Sequence, residues 1–232
     1  MTTVLGVVTA RGGSKGIPRK NIRPLGGTPL LTWTADAALR AKSLTRVILS
    51  TDDAEIAEVG RANGLDVPFM RPPELSGDHV PSLPVLLHAI EWVEAHGDHY
   101  DAICLLQPTS PLRTPEMIDS CVALLESTGA DSAMTVRTVP TDHNPHWVYF
   151  ADATGTLRLA TGEAAPIPRR QDLPPAFHRD GAVFVTRRHV LVEQHSLYGA
   201  RVVSQVVTDP RSVDIDTLED WERAEALIRE LR

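Results

Sequence analysis

The chain predicts an α/β fold in which a mostly parallel sheet carries helices on both faces. Three observations carry that expectation. Short, continuous, β-branched apolar runs recur along the sequence, at Val4–Val8, Val47–Leu49, Ala102–Leu106 and Ser132–Val136. Segments with helical periodicity separate them, and strand–helix–strand alternation favours parallel pairing with right-handed crossovers. Glycine or proline breakers follow several of the runs, as they must where strands end in loops. A chain of 232 residues with 42% hydrophobic content suits a single domain, 1–232, with a sizeable core.

Taken in order, Val4–Val8 is a buried strand followed at once by a Gly-rich segment. Pro29–Ala41 has helical composition after the turn signal at residues 26–29. Val47–Leu49 is a second strand, and Asp53–Ala62 a helix with acidic residues in its first turn, where they oppose the helix dipole. Residues 71–81 hold Pro72, Pro73, Gly77 and Pro81 and form a loop. Leu83, Leu86, Leu87, Ile90 and Val93 then recur at helical spacing. Ala102–Leu106 is a strand ended by Pro108 and Pro111, Thr114–Leu125 a helix and Ser132–Val136 a strand. Residues 137–180 are rich in Pro, His and Arg and read as a β-rich excursion, with short pieces at Trp147–Phe150 and Thr156–Leu159. Ala182–Thr186 resumes the core. Val202–Val207 is a further strand, and Thr217–Leu231 a closing helix. In open sheets of this kind ligands bind beyond the carboxyl ends of the strands, so the segments after Val8, Leu49 and Leu106 should converge.

Charge and composition narrow the function. Lys and Arg number 23 against 30 Asp and Glu, a net charge of −7. Proteins that bind nucleic acid by neutralising its phosphates carry the opposite sign, so no nucleic-acid partner is expected. No apolar run is long enough to cross a bilayer, no secretory signal is visible, and two cysteines within apolar patterns make no disulfide framework. A cytoplasmic protein without a membrane partner is the expectation.

The chemistry concentrates in Ala10–Asn21. Gly12, Gly13 and Gly16 let backbone N–H groups turn toward an anion, while Arg11, Lys15, Arg19 and Lys20 supply positive charge directly after a strand. The segment fits neither G-x-x-x-x-G-K-[ST] nor G-x-G-x-x-G, which weakens P-loop and dinucleotide readings. Asp214 and Asp216 flank Ile215, so in an extended segment both carboxylates face one side. Two hard oxygen donors there can hold Mg²⁺. The competing reading makes Asp216, with Glu219, a capping box for the last helix, which leaves Asp214 without a role.

Ala10–Asn21 resembles the nucleotide-binding signature of the acylneuraminate cytidylyltransferases, the family that activates sialic acids as CMP-sugars. Ser50-Thr51-Asp52, Arg71–Leu75, Leu105–Arg113 and Asp214–Asp216 agree with that family in order and spacing. The resemblance implies a Rossmann-like nucleotidyltransferase fold, CTP, a divalent metal, and a homodimer built from the excursion. By position it places Arg11, Gly12, Gly13, Ser14, Lys15 and Lys20 at the triphosphate, with Arg11 and Lys20 taking the catalytic part. Asn21, Arg71 and Ser82 fall near the cytosine and ribose. Asn and Arg can satisfy a cytosine edge, and Ser82 could equally cap the Leu83 helix. Nucleotidyl transfer needs no covalent nucleophile, since positioning and charge neutralisation supply the rate.

The acceptor stretch departs from the family pattern Phe-Arg-x-Asn-Gly-Ala-Ile-Tyr. Here His178 stands for the Arg, Asp180 for the Asn and Phe184 for the Tyr, and the paired phenylalanines found further on have no match in residues 195–199. Arg170 is retained and suits an acidic group bidentately. Gln107, Arg170, His178 and Asp180 are the expected acceptor-binding residues, Gln107 competing with a bland role as a loop amide. The expected reaction moves CMP from CTP onto a sialic-acid-like 2-keto sugar acid with release of pyrophosphate. A small phosphonate is the alternative acceptor. A metal-dependent glycosyltransferase and a non-catalytic nucleotide-binding protein are the readings from other classes. His143 and His146 read as a solvated loop, and Cys104 as core.

Overall fold

A computed structural model describes residues 2–14 and 16–231 of the chain. The described residues form ten strands: β1 (Val4–Thr9), β2 (Pro24–Leu25), β3 (Thr28–Pro29), β4 (Arg46–Ser50), β5 (Ala102–Leu106), β6 (Ser132–Thr138), β7 (Tyr149–Ala151), β8 (Leu157–Leu159), β9 (Phe177–Arg187) and β10 (Val202–Val206). Six of them make the central sheet in the order β10-β6-β9-β5-β1-β4. β4, β1 and β5 pair in parallel, as do β6 and β10, but β9 runs antiparallel to both neighbours. The mostly parallel sheet is thus observed, with one reversed strand inside it.

Strand pleating sorts the apolar residues. Val4 and Val8 of β1, with Cys104 and Leu106 of β5, enter one layer, while Leu5, Val7, Ile103 and Leu105 enter the other. The first layer is covered by α1 (Leu30–Arg40), α2 (Ala54–Ala62) and α4 (Pro115–Thr128), through residues such as Leu31, Ile56 and Leu125. The second is covered by α3 (Ser82–Ala95) and the short α5 (Arg188–Val192), through Leu86, Ile90 and Leu191. Helices on both faces follow from strands that are apolar on both sides. A third cluster joins Ile17 of the Gly-rich loop, Val213 and Ile215 to Trp221 and Ile228 of α6 (Leu218–Glu230).

Local signals explain the helix limits. Asp53 caps α2 by accepting from Ile56 N, and Thr114 caps α4 by accepting from Met117 N. Gly129, at φ 64°, closes α4 in the left-handed conformation. Two sequence-based cap readings are corrected. The capping box of α6 is Thr217 with Asp220, one residue beyond the expected frame, so Asp216 is not the cap. α3 begins at Ser82 itself after Pro81, with no side-chain cap bond, so Ser82 is not its N-cap. Pro84 is tolerated three residues in because first-turn amides have no intrahelical partner.

The excursion forms a small antiparallel hairpin of β7 and β8 bordered by short helical turns. The sheet resumes earlier than the sequence suggested, at Phe177, where Phe177, His178 and Arg179 pair with Thr138, Arg137 and Val136. A large bulge follows. Residues 180–183 of β9 stand opposite Thr135 alone before pairing resumes at Phe184 and Met134. Gly181 takes φ 80° within the bulge. The Thr135 hydroxyl donates to Asp180 Oδ1, which also accepts from Ala182 N at 3.1 Å, while Val183 N donates to Thr135 Oγ1 at 3.0 Å. Asp180 is only 6% exposed and its Oδ2 is buried without a hydrogen-bond partner.

Arg113 clamps the same region. Its Nε donates to Ala182 O in the bulge, Nη1 to Thr34 Oγ1 of α1 at 2.9 Å and Nη2 to Gln107 O after β5 at 2.7 Å. It is 5% exposed, and burial pulls its pKa down to about 10 despite the nearby Asp180 and Asp214 charges.

Asp180→Ala leaves the Thr135 hydroxyl and Ala182 N without their acceptor, and should lower the unfolding free energy by about 1–3 kcal/mol. Asp180→Asn keeps an acceptor oxygen for both donors and should retain most of that stability. Equilibrium denaturation of the two variants against the parent chain checks the pin.

Candidate active site

The segments after β1, β4 and β5 converge at the carboxyl edge of the sheet, where open α/β sheets place ligands. A cleft there is lined by Arg11, Gly13, Ser14, Lys20, Asn21, Arg71, Ser82 and Gln107. Eight of the residues singled out in the sequence, from four separate segments, therefore meet in one place. Lys15 lies outside the described residues.

The Gly-rich loop is held by its own carbonyls and by acidic neighbours. Asn21 is buried and its Nδ2 donates to Arg11 O at 2.9 Å, so its amide props the loop from beneath while the residue still lines the cleft. Gly12 N donates to Asp52 Oδ1 at 3.0 Å, and a Cβ on Gly12 would come within 2.6 Å of Asp53 Oδ2. Glycine is needed there for close packing against the β4–α2 turn, and its N–H faces Asp52 rather than the cleft. Arg19, which the sequence grouped with the phosphate-directed cations, is instead tied to Asp53 and Glu55 of the α2 N-terminus. It adopts φ 55°, and its pairing with Asp53 holds that carboxyl below its usual range. The loop thus spends one cation anchoring itself.

Among the described residues three cations line the cleft. Arg11 forms an ion pair with Asp78 of the opposite loop. Arg71 is buried, lies 3.5 Å from Asp52, and leaves Nε and Nη2 without hydrogen-bond partners. Burial pulls the Arg71 pKa down, with Arg11 adding to the effect and Asp52 opposing it. A buried guanidinium edge without partners suits an acceptor atom of a bound ligand, because leaving it unpaired is costly. Lys20 Nζ donates to Ile215 O at 2.8 Å and lies 3.5 Å from Asp216 Oδ1.

Lys20 thereby joins the Gly-rich loop to the aspartate segment. Val213 and Ile215 point into the third apolar cluster, whereas Asp214 and Asp216 stay accessible on the other side. The expected alternation is present even though the segment is not paired as a strand. Burial raises the pKa of Asp214, and the like charge of Asp216 adds to it, against Thr109, Lys20 and Arg113. Two neighbouring carboxylates on one side of the segment offer hard oxygen donors, and this donor set fits a divalent cation that also takes phosphate oxygens. Among the described residues no cluster of three or more His, Cys, Asp or Glu side chains offers a metal cage.

A second cavity adjoins the first and shares Ser82 and Gln107 with it. Leu105, Phe184 and Leu197 form its apolar wall, with Arg179, Gly181, Tyr198 and Asp214 around it. Of the expected acceptor residues only Gln107 lines it. Asp180 is the pin of the bulge and also borders, with His178, Arg179 and Asp214, a neighbouring depression. His178 Nδ1 lies 3.0 Å from Arg179 O. Arg170 sits in the excursion, where Nη2 donates to Thr141 Oγ1 at 3.0 Å. Arg179, Tyr198 and Arg113 were not anticipated. Arg113 is the last residue of the block Leu105–Arg113, Arg179 stands between His178 and Asp180 in the acceptor stretch, and Tyr198 falls within residues 195–199.

Comparison with known proteins agrees with this geometry. The family model described as "Cytidylyltransferase" matches residues 5–231. A CMP-N,N'-diacetyllegionaminic acid synthase of Legionella pneumophila is 30% identical over 97% of this chain and 96% of its own. An N-acylneuraminate cytidylyltransferase A of Danio rerio is 36% identical over 94% of this chain and 49% of its own. Among solved structures, a CMP:2-keto-3-deoxy-manno-octonic acid synthetase complexed with CTP superposes with TM-score 0.74 at 19% identity, covering 100% of both chains, which supports the Rossmann-like fold. No helix among the described residues is long and apolar enough to cross a membrane. A family match that runs from the first strand to the last helix, on a sheet edge carrying the same blocks, makes this chain a member of the cytidylyltransferase family and a nucleotidyltransferase.

Proposed function

We propose that the protein is a CTP-dependent enzyme that transfers CMP to a sialic-acid-like 2-keto sugar acid and releases pyrophosphate. The observation that carries this reading is the meeting of two cavities at Ser82 and Gln107. One is rimmed by Arg11, Ser14 and Lys20 and floored by the orphan edge of Arg71. The other has an apolar wall. Asp214 lines the second, and Lys20 of the first lies 3.5 Å from Asp216 beside it. The relatives named above act on different sugar acids, which supports the acceptor class without selecting a member of it. A small phosphonate, a glycosyl donor or a purely binding role is not needed to account for the site.

In this reading Arg11, Ser14 and Lys20 hold the triphosphate, and Arg71 and Asn21 face the base and ribose. An acceptor hydroxyl oxygen attacks the α-phosphorus and forms the new P–O bond. The bond from that phosphorus to the bridging oxygen breaks, pyrophosphate leaves with the electron pair, and the hydroxyl proton passes to solvent. Lys20 lies where charge builds on the phosphates, and stabilising that charge is the largest contribution a nucleotidyltransferase can make. Asp214 and Asp216 would hold Mg²⁺. Bound there, the ion would neutralise phosphate charge. The buried, unpaired Cys104 and Cys121 are compatible with a reducing cytoplasm.

We also infer a homodimer built through the excursion. The β7–β8 hairpin leaves Phe150 at 68% and Leu157 at 61% exposed, with Tyr149 beside them. Phe150 faces one side of the hairpin and Tyr149 and Leu157 the other, and large exposed apolar side chains on so small an element favour burial against another surface. A second copy seated there would also account for Arg170 lying outside the two cavities that meet at Ser82 and Gln107.

Pyrophosphate release on mixing the protein with CTP, Mg²⁺ and a panel of sugar acids tests the function. No release with any acid rejects it. Lys20→Ala should lower kcat/KM about a hundredfold or more. Asp216→Ser should abolish metal-dependent turnover while the melting temperature stays put, because the cap of α6 resides in Thr217 and Asp220. Full turnover in Asp216→Ser rejects the metal assignment. Sedimentation equilibrium should give twice the mass of one chain, and Phe150→Asp with Leu157→Asp should return it to a single chain.

A further inference from the structure

The second cavity is electrostatically lopsided. Among the described residues that line it, Arg179 is the only cation, and it stands with Tyr198, while Asp214 supplies the negative charge. Arg179 Nη1 donates to the Tyr198 hydroxyl at 3.1 Å, and among the described residues no other hydrogen bond engages the guanidinium. The remaining N–H groups are available to a ligand.

The pair is held in place from behind. Ser132 Oγ donates to Tyr198 O at 2.6 Å, Thr186 Oγ1 donates to Leu197 O at 2.7 Å, and Ser196 Oγ accepts from the N–H groups of Tyr198 and Gly199. Two of these anchors sit on strands of the central sheet. Arg179 itself pairs with Val136 at the last ladder position before the bulge. Side chains fixed by a sheet and its bonded loop recognise a ligand at low ordering cost.

Resting on the function proposed above, we propose that Arg179, steadied by Tyr198, binds the carboxylate of the sugar-acid acceptor and makes an acidic group a requirement for the substrate. A guanidinium with one edge tied and the others open presents two parallel donors to a carboxylate. Placing the acid at Arg179 gives it the cation that lines this cavity. The same placement sends the sugar hydroxyls toward Ser82 and Gln107, on the side shared with the nucleotide cleft, where the attacking oxygen must be. The apolar wall of Leu105, Phe184 and Leu197 then takes the carbon face of the sugar.

The test uses the panel acid turned over fastest, as free acid and as its methyl ester. Arg179→Gln should raise the acceptor KM about tenfold or more while the CTP KM changes less than about twofold, with Tyr198→Phe intermediate. The parent enzyme should lose about tenfold in kcat/KM on going from acid to ester, and Arg179→Gln should lose little further, because the charge that the ester removes no longer has its partner. An unchanged acceptor KM in Arg179→Gln, or an ester penalty as large as in the parent enzyme, overturns the Arg179 assignment while leaving cytidylyl transfer intact. Turnover of no acid at all overturns instead the function on which it rests.

Discussion

The structure depends on one buried cation. Arg113 donates to α1, to the end of β5 and to the bulge of β9, three pieces of chain far apart in sequence. A guanidinium out of water is costly unless its donors are filled, and here the fork geometry of Arg is what allows all three directions to be served. Lysine has the charge but not the fork. Because two of its acceptors are the carbonyls of Gln107 and Ala182, Arg113 fixes the backbone at the boundary between the two cavities.

Around that fixed point the charges are balanced in a way that leaves room for a polyanion. Arg19 is satisfied by Asp53 and Glu55, and the Gly12 amide by Asp52, so these contacts hold the loop's shape. Arg11 is paired with Asp78 at a partly exposed position, where an ion pair contributes about 0–1 kcal/mol and yields readily to a stronger anion. Arg71 keeps Nε without a hydrogen bond and Nη2 only in an ion pair with Asp52 at 3.5 Å, and Lys20 is bonded to a carbonyl with a carboxylate near. The cleft is rigid where its backbone is concerned and open where its cations are.

Much of this was legible in the sequence, for identifiable reasons. Buried parallel strands announce themselves as β-branched runs, and the Gly-rich loop combines glycines and cations in a pattern that a plain turn does not require. What escaped detection depended on distant partners. The reversed direction of β9 leaves no mark in its composition. Its bulge breaks the alternation on which facing arguments rest, so Asp180 was expected at the acceptor and is found pinning Thr135 and Ala182. The cap of α6 was displaced by one residue because Asp216–Glu219 and Thr217–Asp220 both satisfy the same spacing, and only the bonds at Thr217 decide between them. Arg179 and Tyr198 are separated by a whole turn of chain, and no local pattern relates them.

The division of labour along the sheet has a further consequence. The residues assigned to nucleotide follow the parallel strands β1, β4 and β5 and the loop before α3. Those of the second cavity come chiefly from the bulge of antiparallel β9 and the loop before β10. The two sets touch through Gly181, where an added Cβ would stand 3.0 Å from Asp214 Oδ2 and 3.2 Å from Ser110 Oγ. Gly181 is therefore held at φ 80° by the pin at Asp180 on one side and the clamp at Arg113 on the other. Side chains flanking this junction, such as positions 179 and 198, can change without moving it. Acceptor preference can then shift through residues on β9 and its neighbouring loop while the geometry of phosphoryl chemistry stays fixed. That is what relatives sharing about a third of their residues but named for different sugar acids require.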